Sequence, residues 1–222
     1  HKAVRERVAL IDQTSFSKFR ISGSGALDLL QYLAVSNIDK PIGKIIYTQF
    51  LNSRGGIEAD LTISRTGEEE FYIVTGSAFG VHDRSWIEKH SPRDGSVVID
   101  DLTEEFGVIN LCGPHARDVL QNVIDDDISN ETLPFSSYAD IRVAGHPVRA
   151  MRIGYVGELG WEMHMGRENM PAVYKALAEA GSQYDIADVG YRAIDSLRME
   201  KGYLYWSSDI SPDYNPFEAG LG

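Results

Sequence analysis

The stretch from Lys44 to Arg65 (KIIYTQFLNSRGGIEADLTISR) constrains the fold of this chain more than any other. Two runs rich in β-branched and aromatic residues flank the turn cluster Asn52–Gly56, whose glycines can adopt positive φ angles. The stretch therefore predicts a β-hairpin. Side chains alternate between the faces of a strand, so the apolar face of the second strand is predicted to be Ile57, Ala59, Leu61 and Ile63. Asp60 is then expected on the opposite face, held by a rigid element. The alternative is that this face is simply exposed to solvent.

Composition places this 222-residue chain among ordinary globular proteins that can bury a core. The net charge of −12 and the absence of a basic run argue against nucleic acid as a partner. No stretch has the length of a membrane span, so no membrane partner is expected. The single cysteine, Cys112, lies in an apolar run and predicts a buried, inert thiol. It also favours a reducing compartment, the cytoplasm or, in a eukaryote, the mitochondrial matrix. The pattern does not predict an oligomeric state.

Hydrophobic periodicity along the chain predicts a mixed α+β fold. Strands are predicted over Lys18–Ser22, Phe71–Thr75, Val97–Ile99, Val108–Cys112, Ile141–Val143, Val148–Ile153 and a run ending at Met165. Helices are predicted after an N-cap at Ser24, after Gly76-Ser77, at Gly113-Pro114, near Met170 and from Val189. Antiparallel hairpins are prominent and strict βαβ alternation is absent, which favours α+β over a doubly wound sheet.

Two clusters offer side chains for chemistry. Asp60 is accompanied by Tyr47 on the partner strand of the hairpin. The stretch Tyr155–Glu162 and the Gly154 before it contain three glycines, which allow the backbone to approach a ligand closely. Its last residue, Glu162, is a carboxylate that can accept two N–H donors from the edge of a planar heterocycle.

A third cluster is the predicted helix Tyr191–Glu200, which carries two arginines and two acids. Arg192 and Asp195 are spaced to pair with each other, so a structural ion-pair network competes with ligand binding as its explanation. The histidines are scattered without metal-ligand spacing, and the adjacent side chains of Asp125–Asp127 splay apart. No metal site is therefore predicted.

Several of these stretches resemble the motifs of one family, in the right order along the chain. LNSRGGIEADL is similar to the N-G-G-x-x-D-D-L signature of the aminomethyltransferase (T-protein) of the glycine cleavage system. RIGYVGELGWEM is similar to its R-x-G-Y-T-G-E-x-G-F-E motif, and GYRAIDSLRMEKGY to its G-x-R-D-x-L-R-x-E-x-G helix. IEADLTISR, VTGSAFGVHDRSWI and FEAGLG resemble the folate-binding C-terminal half of dimethylglycine and sarcosine dehydrogenases. Ala59 departs from the first paired Asp, and Thr75 stands where T-proteins usually have Asn, which favours the dehydrogenase-type branch.

The resemblance implies the T-protein folate-binding fold, with antiparallel sheets, packed helices and two intertwined ferredoxin-like subdomains. It implies one unit over residues 1–222, with an inserted subdomain at about 42–106 and a discontinuous one from about 1–41 plus 107–222. The opening at His1 and the end at Gly222 suggest a piece of a longer polypeptide. The closing β-barrel of the family is expected to be missing after Gly222. The upstream flavin domain that would hold FAD is expected to be missing as well.

The resemblance also implies a tetrahydrofolate site. Asp60 matches the acidic residue that the family places near folate N10 and that is proposed to assist attack on the methylene donor. Tyr47 matches a pocket tyrosine. Tyr155 and Glu162 match residues around the pteridine, with Glu162 accepting its N–H donors. Arg192 stands where the family has an arginine that meets the folate tail.

The implied activity is one-carbon transfer to tetrahydrofolate, within an enzyme like dimethylglycine or sarcosine dehydrogenase. Oxidation of an N-methylamine donor gives an iminium, and capture of its methylene group gives 5,10-methylenetetrahydrofolate. Two alternatives stay open, a folate-binding scaffold without chemistry and a demethylase that passes a methyl group from another donor, such as a sulfur compound, to folate. Asp60 favours the transfer enzyme, since a scaffold would not need it.

Overall fold

The computed structural model describes residues 1–221, which form two β-sheets and six α-helices. The helices are α1 (Lys2–Glu6), α2 (Ala26–Leu33), α3 (Gly80–His90), α4 (Ala116–Gln121), α5 (Met170–Gly181) and α6 (Tyr191–Glu200). The strands are β1 (Ala9–Asp12), β2 (Ser17–Ser22), β3 (Ile45–Leu51), β4 (Ile57–Gly67), β5 (Glu70–Thr75), β6 (Val98–Asp101), β7 (Phe106–Cys112), β8 (Tyr138–Val143), β9 (His146–Met151), β10 (Gly160–Gly166) and β11 (Ala187–Asp188). No helix among residues 1–221 has both the length and the apolar character needed to cross a membrane.

The first compact unit combines His1–Ser15 with Glu104–Tyr203. Its sheet has the strand order β11-β1-β7-β10-β9-β8, and its neighbouring strands are antiparallel except for the parallel pair β1 and β11. One face packs against α4 and α5 through a core that includes Leu111, Val119, Trp161, Val173 and Leu177. The other face packs against α6 through a smaller cluster that includes Ile11, Cys112, Ile194 and Leu197.

The second compact unit combines Phe16–Thr103 with the described residues from Leu204 onward. Its antiparallel sheet has the strand order β3-β4-β5-β2-β6. Helices α2 and α3 pack on one face of this sheet through a core that includes Phe19, Leu30, Phe50, Ile63, Ile73 and Ile87. The opposite face of β3 and β4 is therefore left to their polar side chains.

Strand β2 explains why this division differs from the expected inserted subdomain at about 42–106. Residues of β2 pair with both β5 and β6, as in Ser17 with Thr75 and Phe19 with Asp101. Helix α2 contributes to the same core. Residues 16–41 therefore belong to the second unit, as do the described residues from Leu204 onward, and the expected boundary at residue 42 moves to residue 16.

The predicted α+β class and the hairpin are confirmed. Strands β3 and β4 flank the turn at Asn52–Gly56, and the four predicted apolar residues of β4 are at most 3% exposed. Three helix starts were wrong. Gly25, whose N–H donates to the Ser96 carbonyl, precedes α2 in place of Ser24, and α4 begins two residues after Pro114. Helix α6 begins at Tyr191, two residues after the predicted start at Val189. The two-residue strand β11 was not predicted.

Candidate functional site

Asp60 lies on the polar face of the hairpin, as the alternation predicted. Its register partner across the ladder is Gln49 on β3, and the Gln49 amide nitrogen donates to Asp60 Oδ1 at 2.8 Å. Tyr47 lies two residues earlier on β3 and also hydrogen-bonds the Asp60 carboxylate. Tyr47 is 47% exposed, whereas Gln49 is buried. The hairpin thus places the predicted carboxylate between a buried amide donor and an exposed phenol.

Burial raises the pKa of Asp60 from 3.8 to about 6. The hydrogen bonds from Gln49 and Tyr47 favour the carboxylate and act against this rise, and the nearby charge of Asp83 adds to it. A carboxyl group with a pKa near 6 exchanges its proton readily close to neutral pH, which suits it to hold or move a proton during a reaction.

Asp83 on α3 is a second carboxylate near Asp60 that the sequence did not single out. It is 1% exposed, and Asp83 Oδ2 accepts from the Thr75 hydroxyl at 2.6 Å. Its Oδ1 lies 3.0 Å from Nδ1 of His82. Burial raises the pKa of Asp83, and the contacts with His82 and Thr75 oppose that rise. Only knowledge of how α3 lies on the sheet could have identified Asp83.

Glu58 extends this acidic group along β4. Its Oε1 lies 3.3 Å from Nε2 of His82, and its Oε2 accepts from the Asn52 amide at 3.2 Å. No group of His, Cys, Asp or Glu side chains among residues 1–221 has the arrangement needed to hold a metal ion. Glu58 and Asp83 are thus joined through His82, and Asp60 lies close enough to Asp83 for the two charges to interact.

The segment after Leu204 flanks the start of β4 within the second unit. The indole N–H of Trp206 donates to the Ile57 carbonyl at 3.0 Å, and the Ile57 N–H donates to the Tyr214 carbonyl at 2.9 Å. Trp206 also packs on His82, with the ring centroids 5.4 Å apart. The contacts of this segment hold the strand that carries Asp60 in place.

Ala59, where the family has the first paired Asp, is 1% exposed and part of the hydrophobic core. Its side chain points away from the face of Asp60 because adjacent residues of a strand alternate. The side chain at position 59 therefore contributes nothing to the polar face on which Asp60 lies.

Glu162 lies on β10 in the first unit and is 6% exposed. Its Oε2 is 3.6 Å from Nε2 of His164, which is also buried. Across the ladder its register partner is Asn110 on β7. Glu162 is therefore a buried carboxylate in a polar group of side chains, as its proposed role in binding N–H donors requires.

Tyr155 and Arg192, the other predicted residues of the first unit, have different surroundings. The Tyr155 ring stacks on Tyr203 with centroids 6.0 Å apart. Arg192 is exposed, and the expected pair with Asp195 was wrong. Asp195 pairs instead with Arg198 at 2.7 Å, because Arg198 is the residue that α6 buries and anchors.

The structure thus brings Tyr47 and Asp60 together in the second unit and places Tyr155, Glu162 and Arg192 in the first. Cys112 is buried, as predicted, and burial raises the pKa of its thiol to about 12.

Comparisons with known proteins agree with these motifs. The family model described as the GCVT N-terminal domain matches residues 1–222. The chain is 40% identical to human sarcosine dehydrogenase over 233 residues and 39% identical to mouse dimethylglycine dehydrogenase over 222 residues. These alignments cover 99% and 100% of the chain but 25% of each relative, so the chain spans about a quarter of their length.

A solved structure extends the likeness to the fold. The glycine cleavage system aminomethyltransferase T from Bartonella henselae superposes with a TM-score of 0.85 at 28% identity, covering 100% of this chain and 58% of that one. This confirms the predicted T-protein fold. Neither sheet closes into a barrel among residues 1–221.

Proposed function

Because this chain belongs to the GCVT N-terminal domain family, we propose that it binds tetrahydrofolate and transfers a one-carbon group to it. The product would be 5,10-methylenetetrahydrofolate, formed from the methylene group of an N-methylamine-derived iminium. The carboxyl group of Asp60 carries this proposal. It occupies the family's acidic position, lies on a rigid strand and has a pKa near neutrality. A scaffold that only binds folate has no need of a group tuned in this way.

The chain's own residues suit the binding of a reduced folate. The buried Glu162 carboxylate fits the N–H edge of a pteridine, and Tyr155 offers an aromatic face beside the glycine-rich stretch. We assign Arg192 to the carboxylates of the folate tail, since it is exposed and has no ion pair with the described residues. Bound folate would supply the secondary amines that accept the methylene group.

The role of Asp60 follows from proton balance. An iminium and tetrahydrofolate together give 5,10-methylenetetrahydrofolate and a protonated amine, so two N–H protons must reach the departing nitrogen. In its carboxylate form, Asp60 accepts such a proton and stabilises the positive charge of the iminium. In its protonated form, it returns the proton to the departing amine. Tyr47 and Gln49 hold the carboxylate in place for this exchange.

The iminium itself requires an oxidation. We assign that step to a flavin domain holding FAD outside these residues, since the dehydrogenases similar to this chain are about four times as long. The relatives named mitochondrial suggest the mitochondrial matrix as the location in a eukaryote.

Calorimetric titration with tetrahydrofolate, under argon with a thiol reductant, tests the proposal. We expect the wild type and Asp60→Asn to bind with similar affinity, and Glu162→Ala to lose binding. Transfer is then measured with an iminium that a flavin amine oxidase generates in the same reaction, with 5,10-methylenetetrahydrofolate detected through a coupled dehydrogenase. Asp60→Asn should lose this activity, and Glu68→Gln, which neutralises an exposed carboxylate in the same unit, should keep it.

The outcomes separate the candidate functions. Failure of the wild type to bind would refute folate recognition, and full transfer by Asp60→Asn would favour a scaffold or a different catalytic group. A demethylase would instead produce 5-methyltetrahydrofolate when supplied with a methylated sulfur donor. Equal binding by Glu162→Ala and the wild type would refute the placement of the pteridine at Glu162 alone.

A further inference from the structure

A buried pair of amide side chains lies beside Glu162 in the first unit. Gln13 and Asn110 are 0% and 1% exposed, and the Asn110 amide nitrogen donates to the Gln13 amide oxygen at 3.3 Å. Asn110 lies on β7, and Gln13 follows directly after β1, with its backbone N–H bonded to the Val108 carbonyl at 3.0 Å. Two ladders therefore fix the position of the pair.

This pair leaves hydrogen-bonding capacity unused. Gln13 Nε2 and Asn110 Oδ1 are both buried and have no hydrogen-bond partner among the residues that the structure describes. Turning both amide groups over would exchange their roles and still leave one donor and one acceptor unpaired. Buried polar groups are nearly always satisfied, so this arrangement calls for an outside group that offers both an acceptor and a donor.

The amide pair shares a face of the sheet with Glu162. Asn110 and Glu162 are register partners on adjacent antiparallel strands, so their Cβ atoms lie roughly 5 Å apart on the same face. His164 is two residues along β10 and contacts Glu162. A planar ring held by the Glu162 carboxylate would therefore lie over the face of the sheet that carries Gln13 and Asn110.

The chemistry of the reduced pteridine ring matches these unpaired atoms. When its N3–H and 2-amino group bind a carboxylate, the next pair of atoms on one side is C4=O with N5–H, and on the other side N1 with N8–H. Each pair consists of one acceptor and one donor. In the fully oxidised ring, N5 and N8 carry no hydrogen, so each pair becomes two acceptors and can no longer satisfy the free amide oxygen.

We propose that the Gln13–Asn110 pair is a specificity-determining element that selects the tetrahydro form of the pteridine over the oxidised form. This inference rests on the proposed folate function and on the placement of the ring at Glu162. It adds Gln13 and Asn110 to the residues proposed to bind the pteridine. It also gives a reason for selectivity, since N5 or N8 of an oxidised ring is an acceptor and would face the free amide oxygen, which is a buried acceptor too.

The test compares the affinities of tetrahydrofolate and folic acid by calorimetry for three proteins. These are the wild type, the double variant Gln13→Met/Asn110→Leu and the control Ile109→Val. The double variant removes both partners and keeps their approximate size, so the loss of the hydrogen bond should be nearly neutral for folding. Ile109 lies on the same strand as Asn110, but its side chain packs in the hydrophobic core on the other face of the sheet. Its variant therefore perturbs β7 without changing the amide pair.

We expect the wild type and Ile109→Val to prefer tetrahydrofolate, and the double variant to lose about tenfold of this preference. Circular dichroism checks that each variant is folded. If the double variant does not fold, Gln13→Met alone removes one side of the pair and should reduce the same ratio.

An unchanged ratio in a folded variant would overturn the inference while leaving the proposed function intact. A wild type that binds both folates equally would overturn it too. A wild type that binds neither would instead refute the folate function on which the inference rests.

Discussion

Replacing Asp60 by Asn should stabilise the folded protein at neutral and higher pH. The pKa of Asp60 is about 6 in the folded protein against 3.8 for an aspartate exposed to water, so the folded state holds this proton more tightly than the unfolded chain. A group with a raised folded pKa contributes stability that is fully present below about pH 4 and is lost as the pH rises through 6. Above pH 7, this difference of about 2 pKa units lowers the free energy of unfolding by roughly 3 kcal/mol.

Asp60→Asn removes this penalty, because the amide stays neutral at every pH. We expect urea unfolding to show a free energy of unfolding higher by about 1 to 3 kcal/mol at pH 8, with the lower value allowing for an imperfect contact with Gln49. Between pH 8 and pH 5 the gain should shrink by about 1.4 kcal/mol, since the wild-type carboxyl group regains much of its proton there. Glu68→Gln removes the same charge at an exposed position and should show no such pH dependence. A gain that is equal at both pH values, or a loss of stability at pH 8, would refute the assignment of a destabilising buried carboxylate.

Three further outcomes follow from individual contacts. Gln49→Leu should raise the pKa of Asp60 by about one unit or more, because a hydrogen bond to a charged group contributes roughly 1.5–3 kcal/mol; an unchanged midpoint in a carboxyl ¹³C titration would contradict this. Cys112 should react with a thiol reagent only as fast as the protein unfolds, since its pKa is about 12, and rapid labelling of the native protein would argue against this. Arg192→Ala should change the free energy of unfolding by less than about 0.5 kcal/mol, since Arg192 is exposed. Arg198→Ala removes a buried guanidinium that pairs with Asp195 and should lower the free energy of unfolding by more than this. Equal effects of the two variants in urea titrations would contradict this order.

The parts of the fold that the sequence predicts well are those with strong local patterns. The alternation from Ile57 to Ile63 identified both the strand and its buried face, and so the side on which Asp60 lies. Helix α5 follows from apolar residues at helical spacing after Pro171. Strand β11 has only two residues, and its existence depends on a parallel partner at Ala9 and Leu10, so no local pattern could indicate it.

The candidate site shows the same limit. Tyr47 and Asp60 were predictable as neighbours because they belong to one hairpin. Gln49 required the exact register between β3 and β4, which includes an irregularity after Phe50. Asp83 approaches through α3, whose position depends on packing across the whole core of the second unit. Helical spacing allowed Asp195 to pair with Arg192 or Arg198, and burial decided for the latter.

The place of β1 in its sheet also has a consequence for how this chain is made. Strand β1 leaves the ribosome before both of its partners, β7 and β11, which are synthesised about 100 and 180 residues later. The side chain of Arg5 likewise forms ion pairs with Glu158 and Glu200, which are synthesised more than 150 residues later. During translation residues 1–15 therefore remain without their sheet until β7 is made, while β2 to β6 can already assemble with one another. We expect nascent chains stopped before β7 to expose this segment to chaperones and proteases.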